Sequence, residues 1–93
     1  MLAVTDLAKQ ELKKMLFAKV DHPLAGIRLV RDGQPDNFGL TIDIEIPGDE
    51  VVKYDGSKIL IVDRELSEDL SGNILDIEYA AQGNNFVVIE KSK

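Results

Sequence analysis

The 93-residue sequence has a mass of 10.3 kDa and carries 11 basic against 17 acidic residues, a net charge of −6. This length predicts a single domain over residues 1–93, and because no stretch reaches ~20 apolar residues and no signal-peptide pattern is present, we expect a cytoplasmic protein. The sequence has no cysteine and one histidine, which excludes disulfides, thiolate nucleophiles, cysteine-ligated zinc or iron–sulfur clusters and multi-histidine metal sites.

The first predicted element is an amphipathic helix over residues 6–19. Thr5 is a suitable N-cap, and Asp6 suits the positive end of a helix. The apolar stripe at helical spacing consists of Ala8, Leu12, Met15 and Leu16. Leu7 and Phe17 fall outside this stripe, which leaves open whether they pack under loops or form a contact surface. The helix should end before Pro23, because the residue preceding a proline is pushed out of the helical region.

Strands are predicted next, and the clearest covers residues 38–46. A short strand over residues 27–30 comes first, followed by a run of turn-forming residues over 31–37. From Phe38 to Ile46, apolar side chains alternate with glycine or polar ones, which predicts one face in the core and one in water. We expect Phe38 to lie in the core.

The rest of the chain predicts four more strands and a second, short helix. Strands are expected over 51–54, 59–62, 75–79 and 86–89, with turns at 47–50, 55–56 and 83–85. The run 59–62 is continuously apolar, so both of its faces should be covered. Asp63 should cap a short helix that ends at Gly72. The order predicts an α+β fold, a mainly antiparallel sandwich or partial barrel with an N-terminal helix.

This order of elements resembles the HesB-like domain of the A-type iron–sulfur carrier proteins, from Thr5 to about Ile89. Besides the opening helix, the resemblance rests on three segments: Gly26-Ile27-Arg28-Leu29, the stretch from Tyr54 to Asp63, and Leu70-Ser71-Gly72-Asn73-Ile74-Leu75-Asp76-Ile77. The resemblance implies the HesB-like fold and a place in iron–sulfur cluster assembly.

The ligands that A-type carriers use for a cluster are absent from this sequence. The family has one cysteine in the loop after the first strand, where this chain reads Arg31-Asp32-Gly33-Gln34-Pro35-Asp36-Asn37. The family's C-terminal Cys-Gly-Cys pair also has no counterpart, since the sequence reads Glu90-Lys91-Ser92-Lys93 about where the segment leading to it would begin. We therefore expect no bound cofactor and assign no catalytic, cofactor-binding or metal-binding residue.

Several polar residues could carry chemistry, although each also has an ordinary structural explanation. His22 could be a lone ligand, but a histidine at a helix end is usually a turn residue. Asp43 and Glu45, with Thr41 beside them, could bind a hard cation, but they also fit the wet face of a strand. Two further acidic groups are also expected on the solvated surface: Asp49-Glu50, and Glu65 with Glu68 and Asp69. No phosphate-binding or nucleophile motif surrounds Gly33, Gly39, Ser57, Ser67 or Ser71.

Charge is unevenly distributed along the chain. Residues 1–20 carry a net charge of +2 and residues 21–93 a net charge of −8. A basic helix on an acidic body could bind an acidic protein partner or a second copy, although a solvated lysine-rich face explains the same pattern. Overall acidity argues against nucleic-acid binding.

The function predicted first is a non-catalytic accessory or binding protein on the HesB-like scaffold, acting through protein contacts in iron–sulfur cluster assembly. The alternative is a protein that binds a hard metal or small molecule through carboxylates such as Asp43 and Glu45. We do not expect an enzyme, because no nucleophile–base pair is present. The resemblance also implies self-association, and we expect a weak homodimer whose dissociation constant rises with salt.

Overall fold

The computed structural model describes residues 2–22, 24–31, 33, 38–80 and 83–90. Within these residues it contains seven strands and two helices. In chain order they are β1 (Ala3–Val4), α1 (Asp6–Lys19), β2 (Ala25–Arg31), β3 (Phe38–Ile44), β4 (Glu50–Tyr54), β5 (Ser57–Val62), α2 (Arg64–Asp69), β6 (Asn73–Ala80) and β7 (Gly83–Glu90).

The strands form two mixed sheets. The four-stranded sheet has the order β3-β2-β5-β4, and the three-stranded sheet has the order β1-β6-β7. The antiparallel pairs are β2–β3, β4–β5 and β6–β7, whereas β2 pairs with β5, and β1 with β6, in parallel. The α+β prediction is confirmed, each sheet adds one parallel pair to the expected antiparallel ones, and the described strands do not close into a barrel.

Helix α1 packs against strands of both sheets through the predicted apolar stripe. Ala8 and Leu12 are fully buried, and Met15 and Leu16 are half-buried against the same core. The Thr5 hydroxyl accepts the Ala8 N–H at 3.2 Å, which confirms the N-cap. The core takes residues from both sheets, including Leu29 of β2, Leu60 of β5 and Leu75 of β6.

Strand β5 and helix α2 also agree with the sequence. All four residues of 59–62 are buried, so both faces of the strand are covered. The Asp63 carboxylate accepts the Leu66 N–H at 2.9 Å and caps α2. Gly72 follows with a φ of +88°, a conformation that other residues adopt at a cost.

The last hairpin differs from the prediction of a turn at residues 83–85. Gly83, Asn84 and Asn85 belong to β7, where they pair with Ala80, Tyr79 and Glu78 of β6. Glycine and asparagine favour turns locally, but β6 remains paired up to Ala80, so its partner strand begins at Gly83. Strand β1 was not predicted, because two residues carry no periodic signal. Most residues of the predicted loop over 31–37 lie outside the part of the chain that the structure describes.

Strand β3 departs from its prediction at its C-terminal half. Phe38 and Leu40 are half-buried against the core as expected. Ile42, Ile44 and Ile46 are instead 54%, 50% and 57% exposed. The reason is position: β3 is an edge strand of the four-stranded sheet, while α1 packs mainly on β5, β6, β2 and β4. The apolar face of β3 therefore continues beyond the part of the sheet that the helix covers.

Candidate functional site

The most constrained charged side chain in the described residues is Arg28, in the centre of β2. It is only 7% exposed, and burial of a charge is costly unless it is paired. Its guanidinium donates from Nη1 and Nη2 to the two carboxylate oxygens of Asp49 at 3.1 and 2.6 Å. It also donates from Nε to Asp43 at 2.9 Å and from Nη2 to the Ile44 carbonyl at 3.1 Å.

Asp49 is the buried counter-ion of Arg28. Its side chain is 2% exposed, which corrects the expectation of a solvated acidic turn. The turn folds Asp49 back onto β2, where the bidentate geometry suits a strong charge-assisted interaction. The hydrogen bond from Arg28 lowers the pKa of the Asp49 carboxyl, with a further contribution from the Ile46 N–H, and Asp49 in turn raises the pKa of Arg28.

Gly26 allows β2 to approach β5 closely. A Cβ atom at this position would lie 3.0 Å from the Cδ1 atom of Ile61, closer than normal carbon–carbon contact. The Gly26-Ile27-Arg28-Leu29 segment therefore has a physical explanation. Glycine allows the close approach, Ile27 and Leu29 enter the core, and Arg28 holds the turn after β3 through Asp49.

The structure does not combine Asp43 and Glu45 into a cation site. Asp43 is paired with Arg28, and Glu45 is paired with Lys58 at 2.9 Å, so each carboxylate already has its own cation. Thr41 is exposed on the same strand. Within the described residues, no group of three or more histidine or acidic side chains is placed to hold a metal ion.

The other candidate residues have structural partners or lie at the surface. His22 is exposed, and its Nδ1 accepts the Leu24 N–H at 3.1 Å, as a turn residue would. Glu50 is half-buried and accepts the Ser67 hydroxyl, whereas it was expected in solvent. Glu65, Glu68 and Asp69 are exposed as expected. Glu68 pairs with Arg64 at 3.5 Å, and Asp69 with Arg31 at 3.0 Å.

Helix α1 presents apolar and basic side chains together on its outer surface. Leu7 and Phe17 are 49% and 68% exposed, so the question that the sequence left open is answered in favour of exposure. The Lys13 ammonium lies 5.8 Å from the centre of the Phe17 ring, 5.6 Å from that of Tyr54 and 3.3 Å from Asp55. These contacts hold Lys13 in place beside an exposed aromatic ring.

Ile42, Ile44, Ile46 and Leu24 form a second exposed apolar surface, which we call the β3 face. Leu24 is 69% exposed and lines, with Ile44 and Leu16, a cavity of about 410 Å³ at the margin of α1. Ile42 lines a neighbouring cavity of about 380 Å³ with Met15 and Val20. Exposed apolar side chains grouped on one strand can mark an interaction site.

The donor chemistry of this chain does not fit an iron–sulfur cluster. Such clusters are held chiefly by cysteine thiolates, and the 93 residues contain none. The described residues of the loop in which A-type carriers have a cysteine are Arg31 and Gly33, and neither residue supplies a soft ligand.

No described helix is long and apolar enough to span a bilayer.

The sequence does not predict the roles of Arg28 and Asp49. It shows Arg28 only as part of a motif, and its turn pattern predicts that Asp49 is exposed to solvent. Their partnership spans 21 residues, so no local pattern reveals it. The available signal was an arginine flanked by Ile27 and Leu29 in a buried strand, because a buried charge requires a counter-ion.

Three solved structures share this architecture. Escherichia coli SufA, involved in the biosynthesis of iron–sulfur clusters, matches with a TM-score of 0.68 and 20% identity over 96% of this chain and 84% of its own. IscA with a [2Fe-2S] cluster matches with a TM-score of 0.63 and 19% identity over 97% and 85%.

The third is the solution structure of a protein from Aquifex aeolicus, with a TM-score of 0.61 and 29% identity over 94% of this chain and 88% of its own. No protein-family model and no curated relative matches the sequence. SufA and IscA are HesB-like iron–sulfur cluster assembly proteins. The resemblance stated from the sequence is thereby confirmed in the fold, and this chain is a cysteine-less protein with the HesB-like fold.

Proposed function

We propose that residues 1–93 form one HesB-like domain that serves iron–sulfur cluster assembly as a non-catalytic accessory protein in the cytoplasm. It binds other proteins of that process and holds no cluster itself. The observation that carries the proposal is the pairing of a fold shared with SufA and IscA with a sequence free of cysteine. A chain that keeps this fold but lacks the thiolate ligands is better suited to binding other proteins than to carrying a cluster.

The outer surface of α1 supports binding to an acidic partner. Phe17 and Leu7 supply exposed apolar contact area, and Lys14, which lies 3.6 Å from Glu11, is 75% exposed on the same helix. Residues 1–20 carry a net charge of +2 on an acidic body. Aromatic residues flanked by cations are typical anchors of protein interfaces, and the charge speeds the encounter.

The alternative function, binding of a hard metal or small molecule through Asp43 and Glu45, receives no support from the geometry. A cation would have to displace Arg28 from one carboxylate and Lys58 from the other. Metal analysis of the purified protein tests this alternative directly, and stoichiometric metal that is lost in Asp43→Asn would favour it.

The test of the proposed function is affinity capture from the native host with the tagged chain as bait. We expect iron–sulfur assembly proteins or their clients to be enriched, and Phe17→Glu to reduce their recovery about tenfold, which corresponds to the loss of one interface anchor. Ile89→Glu is the matched control, because Ile89 is a similarly exposed apolar residue on β7. Recovery without any such protein, or equal recovery with both variants, would contradict the proposal.

We also propose that the chain self-associates as a weak homodimer. The charge difference between residues 1–20 and residues 21–93 supports this proposal, and the dissociation constant of the dimer should rise with salt.

A further inference from the structure

A cavity of about 410 Å³ opens beside the C-terminal half of α1, at one end of the four-stranded sheet. Its volume lies within the range of about 300–1000 Å³ that small-molecule sites occupy. The apolar part of its wall consists of Leu16, Leu24, Ala25, Gly26, Ile44 and Ile61. An apolar group that enters from solution therefore contacts the margin of the core.

The floor of this cavity is formed by buried residues of β2 and β5. Ile61 is 2% exposed, and Gly26 is buried beside it. A Cβ atom at position 26 would lie 3.0 Å from Ile61 Cδ1, so the two strands hold these residues in close contact and the floor is preformed. Its side chains offer no hydrogen-bonding group to water, and their contact with an apolar ligand group is therefore favourable.

The charged side chains that line the cavity are Glu45 and Lys58. They form an ion pair at 2.9 Å, in which the Lys58 ammonium donates to Glu45 Oε1, and their side chains are 36% and 57% exposed. An ammonium has three N–H donors and a carboxylate has two oxygens. Among the described residues this is the one hydrogen bond that either side chain makes, so each keeps capacity for a second charged partner.

A pair of opposite charges at an apolar cavity selects for a ligand that carries both charges. A simple carboxylate would gain the attraction of Lys58 but meet the repulsion of Glu45, and a simple amine would meet the reverse. A free α-amino acid carries an ammonium and a carboxylate on one carbon atom, with its side chain projecting from the same atom. It matches both members of the ion pair and the apolar wall together.

We propose that this cavity binds a free α-amino acid with an aliphatic side chain. The ligand carboxylate accepts from Lys58, the ligand ammonium donates to Glu45, and the side chain packs against Ile44 and Ile61. The ion pair of the protein is kept, and Asp43 takes no part. The site is therefore different from the paired-carboxylate metal site, and the inference does not depend on the proposed accessory function.

The test is a titration of the isotope-labelled chain with leucine, followed by nuclear magnetic resonance of the backbone amides. We expect saturable shifts at residues 24–26, 44–45 and 57–58, with a dissociation constant of about 0.1–1 mM, which suits a ligand of so few atoms. Three probes each lack one feature of leucine: leucinamide lacks the carboxylate, 4-methylpentanoate the ammonium, and glycine the aliphatic side chain. Each should bind about tenfold more weakly or worse.

Variants of the ion pair assign the charges of the site. Lys58→Gln and Glu45→Gln should each weaken leucine binding about tenfold, and since both side chains are partly exposed, circular dichroism should show a retained fold. Arg64→Gln and Glu68→Gln are the matched controls. They remove the same charges from an exposed ion pair of α2, outside this cavity, and should leave the dissociation constant unchanged.

Three results would overturn the proposal. One is the absence of saturable shifts at about 10 mM leucine, roughly tenfold above the weakest expected dissociation constant. Another is equal binding of leucine and 4-methylpentanoate, which would make the cavity a purely apolar surface. The third is a loss of affinity in Arg64→Gln as large as that in Lys58→Gln, which would show that the net charge of the protein and not this ion pair controls binding.

Discussion

At the scale of single residues, the Arg28–Asp49 pair determines how the segment after β3 is held. The pair is buried, bidentate and separated by 21 residues in sequence. Such a pair adds little net stability compared with apolar packing, but the loss of one partner leaves a buried charge unpaired. In this chain the pair also organises the backbone groups of Ile44 and Ile46.

We expect Asp49→Asn to lower the free energy of unfolding at neutral pH by about 3–5 kcal/mol, since it leaves the Arg28 charge buried with one partner fewer. Asp43→Asn should cost less, because the Asp43 side chain is 52% exposed. Urea unfolding of the two variants beside the wild type measures both. Equal, small losses would mean that Arg28 does not depend on its buried partner.

The same pair predicts the direction of the acid dependence. Arg28 lowers the pKa of Asp49 in the folded state, so the pair's contribution is fully present above the unfolded pKa of about 3.9 and is lost as pH falls through the lowered folded value. Stability should therefore decline more steeply below about pH 4 in the wild type than in Asp49→Asn. Parallel curves for the two proteins would contradict this assignment.

At the scale of elements, the packing of β2 on β5 depends on the missing side chain of Gly26. We expect Gly26→Ala to destabilise the protein by about 1–3 kcal/mol, because the new methyl group overpacks against Ile61 Cδ1. Ile61→Val removes that very atom. The double variant should therefore be more stable than the sum of the two single losses predicts.

A double-mutant cycle from chemical denaturation measures this coupling, with Ile59→Val on the same buried strand as the control for the loss of a methylene. Strict additivity of Gly26→Ala and Ile61→Val, or the same coupling with Ile59→Val, would show that the contact with Ile61 does not set the requirement for glycine.

The elements also show where sequence reasoning succeeds. The sequence predicts helix α1, strand β5 and helix α2 because their signals are local. These signals are the cap at Thr5 with an apolar stripe at helical spacing, the continuous apolar run over 59–62, and the cap at Asp63. Strand β1 depends on a parallel partner about 70 residues away, and a pattern of two residues cannot predict that pairing. The exposure of Ile42 and Ile44 depends on which strands α1 covers. This is a property of the tertiary packing, which the alternation of residues along β3 does not indicate.

At the scale of the whole molecule, the fold matches that of iron–sulfur proteins, but the side chains do not supply the ligands of a cluster. The architecture is shared with SufA and IscA over nearly the entire chain, while the sequence supplies no thiolate. In the part of the chain that the structure describes, large exposed apolar side chains lie on α1 at Leu7 and Phe17, around Ile44 of β3, and at Ile89 of β7.

The most direct test of this account is anaerobic reconstitution of the purified chain with iron and sulfide, followed by desalting and measurement of acid-labile sulfide and visible absorption. Escherichia coli SufA treated in parallel controls for the reagents. We expect no stable chromophore and no stoichiometric sulfide on this chain, because no cysteine is present to hold a cluster. A stable chromophore with stoichiometric iron and sulfide would contradict the central claim and make this chain a carrier with other ligands.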